Sequence, residues 1–235
     1  MQVFYAPHID GLEYRLTEEE SKHCIRVLRM NVGDELFLTD GCGNLYTARI
    51  ADSNPKRCMV QIVTNQKEFG KRPFRLHIAI APTKNIERFE WFLEKATEIG
   101  VDAITPLLCE RSERKDVKTD RLQKIVVSAM KQSVKAYLPK INEMQLFKRF
   151  VDSNLPADLK AIAHCNSPNL NPFQNVLQKG RSVLILVGPE GDFSPAEVEL
   201  ALSNGFSEVS LSTSRLRTET AGIVACHTAN LINGV

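Results

Sequence analysis

The spacing of apolar and polar positions changes character near residue 70. Before it, apolar residues come in short runs broken by polar turns. Residues 35–40 and 45–50 flank Gly41-Cys42-Gly43-Asn44 and read as a β-hairpin. A turn over residues 51–57 leads to a third strand at 58–63. A short helix starts near Thr17, where Glu18, Glu19 and Glu20 suit the positive end of a helix dipole. Residues 1–70 are expected to form a small β-barrel-like module. Residues 66–73, polar and marked by Gly70 and Pro73, read as a linker.

After the linker the period lengthens. Residues 75–81 form a strand, and Ile86–Ile99 an amphipathic helix with Phe89, Phe92, Leu93, Ala96 and Ile99 on one face. Gly100 stops it, and residues 101–108 form the next strand. That is a β-α-β unit, so the sheet is expected to be parallel. A second helix is predicted over 120–138 and a third strand over 159–164. Val183–Val187 is apolar throughout, as in a strand buried on both faces, and it breaks onto Gly188-Pro189-Glu190-Gly191. Ser194-Pro195-Ala196-Glu197 then carries a capping box with proline at the first helical position, and Gly205 closes that helix. A polar stretch, 215–222, precedes a last apolar helix. Both polar loops follow strands, where open α/β sheets place ligands.

Composition narrows the options. The chain of 235 residues is 43% hydrophobic and 25% charged, as in ordinary globular proteins. No apolar run approaches the roughly 20 residues of a membrane-spanning helix. The first residues lack the basic and apolar regions of a signal peptide, so a cytoplasmic location is expected, with no membrane partner. The cysteines (24, 42, 58, 109, 165 and 226) show no metal-binding spacing, and the five histidines form no helical pair, so no metal is expected. Net charge is +2 but unevenly spread: −2 over residues 1–70, +7 over 71–150 and −3 over 151–235. The basic middle third suggests an anionic partner or a solvated charged face.

The loop at 188–191 lacks the Gly-Lys-Ser/Thr of a phosphate loop and the G-x-G-x-x-G of dinucleotide sites. Residues 212–220 are dense in hydrogen-bonding side chains. Thr218 or Thr220 could cap the last helix, but capping leaves Arg215 and Arg217 unexplained, which favours a binding role.

These blocks resemble the RsmE family of 16S rRNA uridine-N3 methyltransferases, within the SPOUT superfamily. Residues 186–193 with Glu197 resemble the family's G-P-E-G-G-[FL]-[ST] block, with Asp192 in place of the second glycine. Residues 211–221 resemble its L-G-x-R-[IV]-L-R-T-E-T-A block, with Ser212 for glycine. Residues 84–112 and 23–30 resemble two further family stretches, so nearly the whole chain is covered in order. One departure is Lys131-Gln132-Ser133-Val134-Lys135, where the family usually has a Glu first and an Arg last.

The resemblance implies a PUA-like RNA-binding β-barrel over 1–70. Over 71–235 it implies a SPOUT-type α/β domain, a trefoil-knotted parallel sheet with helices on both faces. It also implies a homodimer and a bent S-adenosylmethionine held by His164, Val187, Gly188, Glu190, Gly191, Leu211, Leu216 and Thr220. The implied activity is N3 methylation of uracil 1498 in 16S rRNA, in the assembled 30S subunit. Ribose 2′-O-methylation and a non-catalytic rRNA-binding assembly role stay open. Uridine N3 carries a proton and must approach an anion in the transition state. Arg217 is the expected electrostatic stabiliser, and Glu219 its orienting partner or the proton acceptor; the two could equally form a structural pair. His23, Arg26 and Arg29, at helical spacing, are candidate rRNA contacts. Lys84 joins them with the basic run Arg111, Arg114, Lys115 and Lys118, which continues to Arg121 and Lys124.

Overall fold

A computed structural model describes residues 2–165 and 170–235. They divide into two compact units: Met1–Lys71 with Val127–Leu138, and Arg72–Val126 with Pro139–Val235.

The first unit is a curled five-stranded sheet. Its strands are β1 (Val3–Tyr5), β2 (Glu13–Arg15), β3 (Glu35–Thr39), β4 (Leu45–Asp52) and β5 (Met59–Gln66), ordered β1-β3-β4-β5-β2. The β1–β3 pair is parallel and the others antiparallel. Alternate residues face inward, and Phe4, Leu16, Leu36, Leu38, Ala48, Ile50 and Val60 make the core. The predicted hairpin is β3–β4. Asp40 closes its loop by accepting from Cys42 N–H at 2.7 Å and Asn44 N–H at 3.3 Å.

The short helix is α1 (Glu18–Lys22), capped by Thr17, whose Oγ1 accepts from Glu20 N–H at 3.2 Å. It runs into a π-helical turn over His23–Val27, and Arg29 has φ 56°. A regular helical stripe through His23, Arg26 and Arg29 is therefore not formed. Wider π-helical winding displaces the register, and the left-handed residue ends it.

Residues 127–138 belong to this unit by packing, which the sequence did not reveal. The Ala136 carbonyl accepts from Gly43 N–H at 2.8 Å and from Thr39 Oγ1 at 3.3 Å. Lys131 Nζ lies 2.5 Å from Glu20 Oε1, with side chains 23% and 11% exposed. The lysine that departs from the family pattern is thus the cation of a half-buried ion pair.

The second unit opens with β6 (Leu76–Ile80), α2 (Ile86–Ile99), β7 (Ala103–Leu108) and the first part of α3 (Thr119–Gln132), whose residues from Val127 on are counted with the first unit. The helix ends short of residue 138, and Val134 takes φ 54° just beyond it. Next come β8 (Lys140–Ile141), β9 (Gln145–Leu146), α4 (Phe147–Asp152) and β10 (Leu159–Ala163). The chain finishes with β11 (Asn171–Pro172), α5 (Phe173–Val176), β12 (Val183–Val187), α6 (Pro195–Ser203), β13 (Ser207–Ser210) and α7 (Thr218–Asn233).

The main sheet is parallel, ordered β11-β13-β10-β12-β6-β7-β8, with β9 paired to β7. All five residues of β12 are buried, as its apolar run requires of a central strand. Successive residues point to opposite faces. Ala79, Ala81, Ile162, Leu184 and Leu186 pack with Phe147 and Phe150 of α4 and Val198 and Ala201 of α6. On the other face α2 and α7 lie together. Gly222 of α7 sits so close that a Cβ there would come within 2.6 Å of the Phe92 ring and 2.8 Å of Ile80 Cδ1. The parallel sheet with helices on both faces in the second unit, and the curled sheet of the first unit, agree with the expected fold class.

Candidate active site

The strands β10, β12 and β13 end together, and their following segments wall a cavity of about 760 Å³. Its lining is residues 163–165, 187–190, 192, 210–218 and 221, with Leu170 and Pro172. This is the C-terminal edge of a parallel sheet, where loops diverge and leave a crevice. The volume is in the range of small-molecule sites, which run from about 300 to 1,000 Å³.

The loop after β12 is fastened from several sides. Thr218 Oγ1, buried at the start of α7, donates to the Gly188 carbonyl at 3.1 Å. Arg215 donates to the Glu190 carbonyl at 3.3 Å. Arg111 donates to the Gly191 carbonyl at 2.9 Å and reaches Phe193 O at 3.4 Å. The Glu190 carboxylate turns to accept Lys84 N–H at 2.9 Å. The predicted capping box is present: Ser194 Oγ accepts Glu197 N–H at 3.3 Å and Glu197 returns the bond at 2.9 Å. Glu197 also accepts Glu110 N–H at 2.8 Å. Gly188 packs tightly, since a Cβ there would meet the Phe193 ring and backbone at 3.2 Å and those atoms would have to give by a few tenths of an ångström.

Of the residues expected at the cofactor, His164, Val187, Gly188, Glu190, Leu211 and Leu216 line the cavity; Gly191 and Thr220 do not. His164 Nε2 lies 3.0 Å from Glu208 Oε1, in a side chain 1% exposed. Arg217 also lines the cavity, and among the described residues its side chain has no hydrogen-bond or ion-pair partner. Glu219 is turned elsewhere. It is buried, its Oε1 lies 3.9 Å from Arg88 Nε of α2, and its Oε2 has no hydrogen bond among the described residues. Arg217 and Glu219 are therefore not a contacting pair. The sequence missed Thr218, Asp192 and Cys165 as wall residues. Partial desolvation pushes the Cys165 thiol up, and the nearby Asp192 carboxylate adds to it while Arg215 opposes it.

The basic candidates divide by what they touch. Arg114 donates to Thr83 O at 3.0 Å and Lys84 O at 2.6 Å, and Lys84 Nζ pairs with Glu113 at 2.7 Å. Arg121 pairs with Glu90. Lys115 and Lys118 are exposed, and so are Arg26 and Arg29 of the first unit. His23 stacks edge-on against Phe4 with ring centres 5.9 Å apart.

A family profile described as an RNA methyltransferase domain matches residues 70–230, and one described as an RNA methyltransferase PUA domain matches residues 16–63. The ribosomal RNA small subunit methyltransferase E of Synechocystis sp. is 31% identical over 223 residues, covering 92% of this chain and 72% of that protein. The chain belongs to the ribosomal RNA small subunit methyltransferase E family. Among solved members of related sequence, a probable rRNA-methyltransferase from Porphyromonas gingivalis is 44% identical. It superposes with a TM-score of 0.93 over 100% of this chain and 99% of that one. The Neisseria gonorrhoeae ribosomal RNA small subunit methyltransferase E, solved bound to S-adenosyl methionine, is 27% identical. Its TM-score is 0.87, over 96% of this chain and 95% of that one. In this family member the two blocks that carried the resemblance, 186–193 and 211–221, are the two main walls of the cavity.

Proposed function

We propose that the protein is an S-adenosylmethionine-dependent methyltransferase of small-subunit rRNA, acting on N3 of uracil 1498 in the 30S subunit. The observation that carries this reading is the cavity at the ends of β10, β12 and β13, lined by the segments that follow these strands, with Arg217, whose side chain has no hydrogen-bond or ion-pair partner among the described residues, on its lining. The residues present fit the cofactor. The volume suits a nucleoside-sized ligand, and the loop carbonyls and amides are held rigid by Thr218, Arg215 and Arg111. His164, Gly188, Glu190, Leu211 and Leu216 would hold it. When bound, the sulfonium supplies an already activated methyl group.

The chain's own residues then have two tasks. One is alignment: a fixed loop keeps acceptor and donor in line, so little ordering is needed as the reaction proceeds. The other is charge. The uracil ring gains negative charge as N3 gives up its proton to water, and the Arg217 guanidinium can face O2 or O4 through two parallel N–H groups. N3 is sealed within a base pair, so the target base must be unpaired or turned out of its stack. Exposed Arg26, Arg29, Lys115 and Lys118 are the proposed phosphate contacts. The reading includes a homodimer; Trp91 of α2, 45% exposed, and Leu231 of α7, 62% exposed, supply apolar surface for it.

The test is mass spectrometry of nucleosides from small-subunit rRNA incubated with the protein and labelled donor, for wild type and Arg217→Lys. The expected wild-type product is 3-methyluridine. The expected variant loses about 100-fold in kcat with donor affinity unchanged, because lysine keeps the charge but not the planar fork. A ribose-methylated product would replace the N3 assignment, and full activity in the variant would remove Arg217 from the mechanism.

A further inference from the structure

The loop after β12 turns through a residue whose backbone conformation favours glycine. Asp192 has φ 62°, in the left-handed region. Its carboxylate makes two bonds that glycine could not. Oδ1 accepts Phe193 N–H at 2.8 Å, a local contact. Oδ2 accepts Cys165 N–H at 2.9 Å, from a segment 27 residues earlier that has just left β10. Both Asp192 and Cys165 line the cavity. Arg111, Arg215 and Thr218 fasten the loop toward the 110s segment and α7; Asp192 supplies the tie toward β10. Among the described residues Asp192 forms no ion pair within 4.0 Å, so its carboxylate stands on the cavity wall as a separate charge, on a lining that also carries Arg215 and Arg217. A wall charge in a partly desolvated crevice favours a cationic ligand over a neutral one of the same shape.

We propose that Asp192 is a positioning residue for the methyl donor: its carboxylate ties the cavity loop to the end of β10 and weights the site toward the sulfonium donor over the uncharged thioether product. The inference rests on the cofactor reading above. It explains how a strained aspartate is kept at a turn where the family's block has glycine. The strain is offset by a tie across the cavity mouth, and the charge helps the spent product to leave.

The test is calorimetric titration of S-adenosylmethionine and S-adenosylhomocysteine into wild type, Asp192→Gly and Asp192→Asn, with the melting temperature of each. Asp192→Gly relieves the left-handed strain, so its melting temperature is expected to equal or exceed that of wild type. It is nevertheless expected to bind the donor about tenfold more weakly. A residue with only a structural role would move stability and affinity in the same direction. Asparagine tolerates the left-handed conformation and keeps an oxygen for Cys165 N–H. Asp192→Asn is therefore expected to keep the wild-type product affinity while the donor-to-product affinity ratio falls at least threefold. If Asp192→Gly binds both ligands as wild type does, or Asp192→Asn keeps the wild-type ratio, the role assigned to Asp192 is overturned. If wild type binds neither ligand, the cofactor reading falls, and this inference with it.

Discussion

Thr218→Val probes the link between the last helix and the cavity loop. Thr218 is buried at the first position of α7, and its hydroxyl donates to the Gly188 carbonyl at 3.1 Å. Valine keeps the shape and the β-branch but removes the donor, leaving a carbonyl oxygen without it. That loss costs about 1–2 kcal/mol. If the bond is equally formed with and without ligand, the cost falls on folding, a drop of about 2–8 °C in melting temperature for a chain of this size. If the loop is fully seated only around the donor, the cost falls on binding, where about 1.4 kcal/mol is a tenfold change in Kd. Differential scanning fluorimetry and calorimetric titration of the donor, run on Thr218→Val and Thr218→Ser, separate the two. Serine keeps the hydroxyl, so it should recover most of whichever loss valine shows. The reasoning is refuted if valine matches wild type in both measurements, or if serine fails as badly as valine, which would put the effect on the methyl group.

Two further perturbations test the scaffold. Lys131→Glu places a carboxylate against Glu20 in a half-buried pair; it should cost about 2–4 kcal/mol, between the values for exposed and buried pairs, and Glu20→Lys in the same chain should recover part of it in urea unfolding. Burial holds the His77 imidazole down to about 4 from 6.5, with Lys140 adding to the effect. The unfolded chain therefore takes up a proton before the folded one. The resulting stabilisation is complete above 6.5 and is lost as pH falls toward 4, a change of about 3 kcal/mol. Urea unfolding at pH 7 and pH 4.5 should show this loss in wild type and a smaller one in His77→Gln; equal losses would exclude His77 as the source.

Much of the second unit was legible because its elements carry their own boundaries. Ile86–Ile99 has an apolar face and a terminal glycine, and α2 has the predicted limits. The continuous apolar run at Val183–Val187 marked a central strand, and Ser194 and Glu197 marked the helix start. Long-range pairing was not legible. Nothing in residues 127–138 announces that Ala136 bonds Gly43 and Thr39, because those partners are distant in sequence. β1 and β2, three residues each, are too short for a period to show. At the site, side-chain type suggested Arg217 and Glu219 together. Yet residues two apart at a helix start face different ways, and Glu219 turned to Arg88. The basic run suffered similarly. Composition counts charges but not the carbonyls they are spent on, as Arg111 and Arg114 show.

The measurement that bears most directly on the whole account is a crystal structure of the protein grown with S-adenosylmethionine. The donor is predicted to lie between residues 188–191 and 211–218, beside Asp192 and His164, with its methyl group open toward Arg217. Density for the donor at any other place, or an empty cavity at a donor concentration that saturates binding in solution, would contradict it.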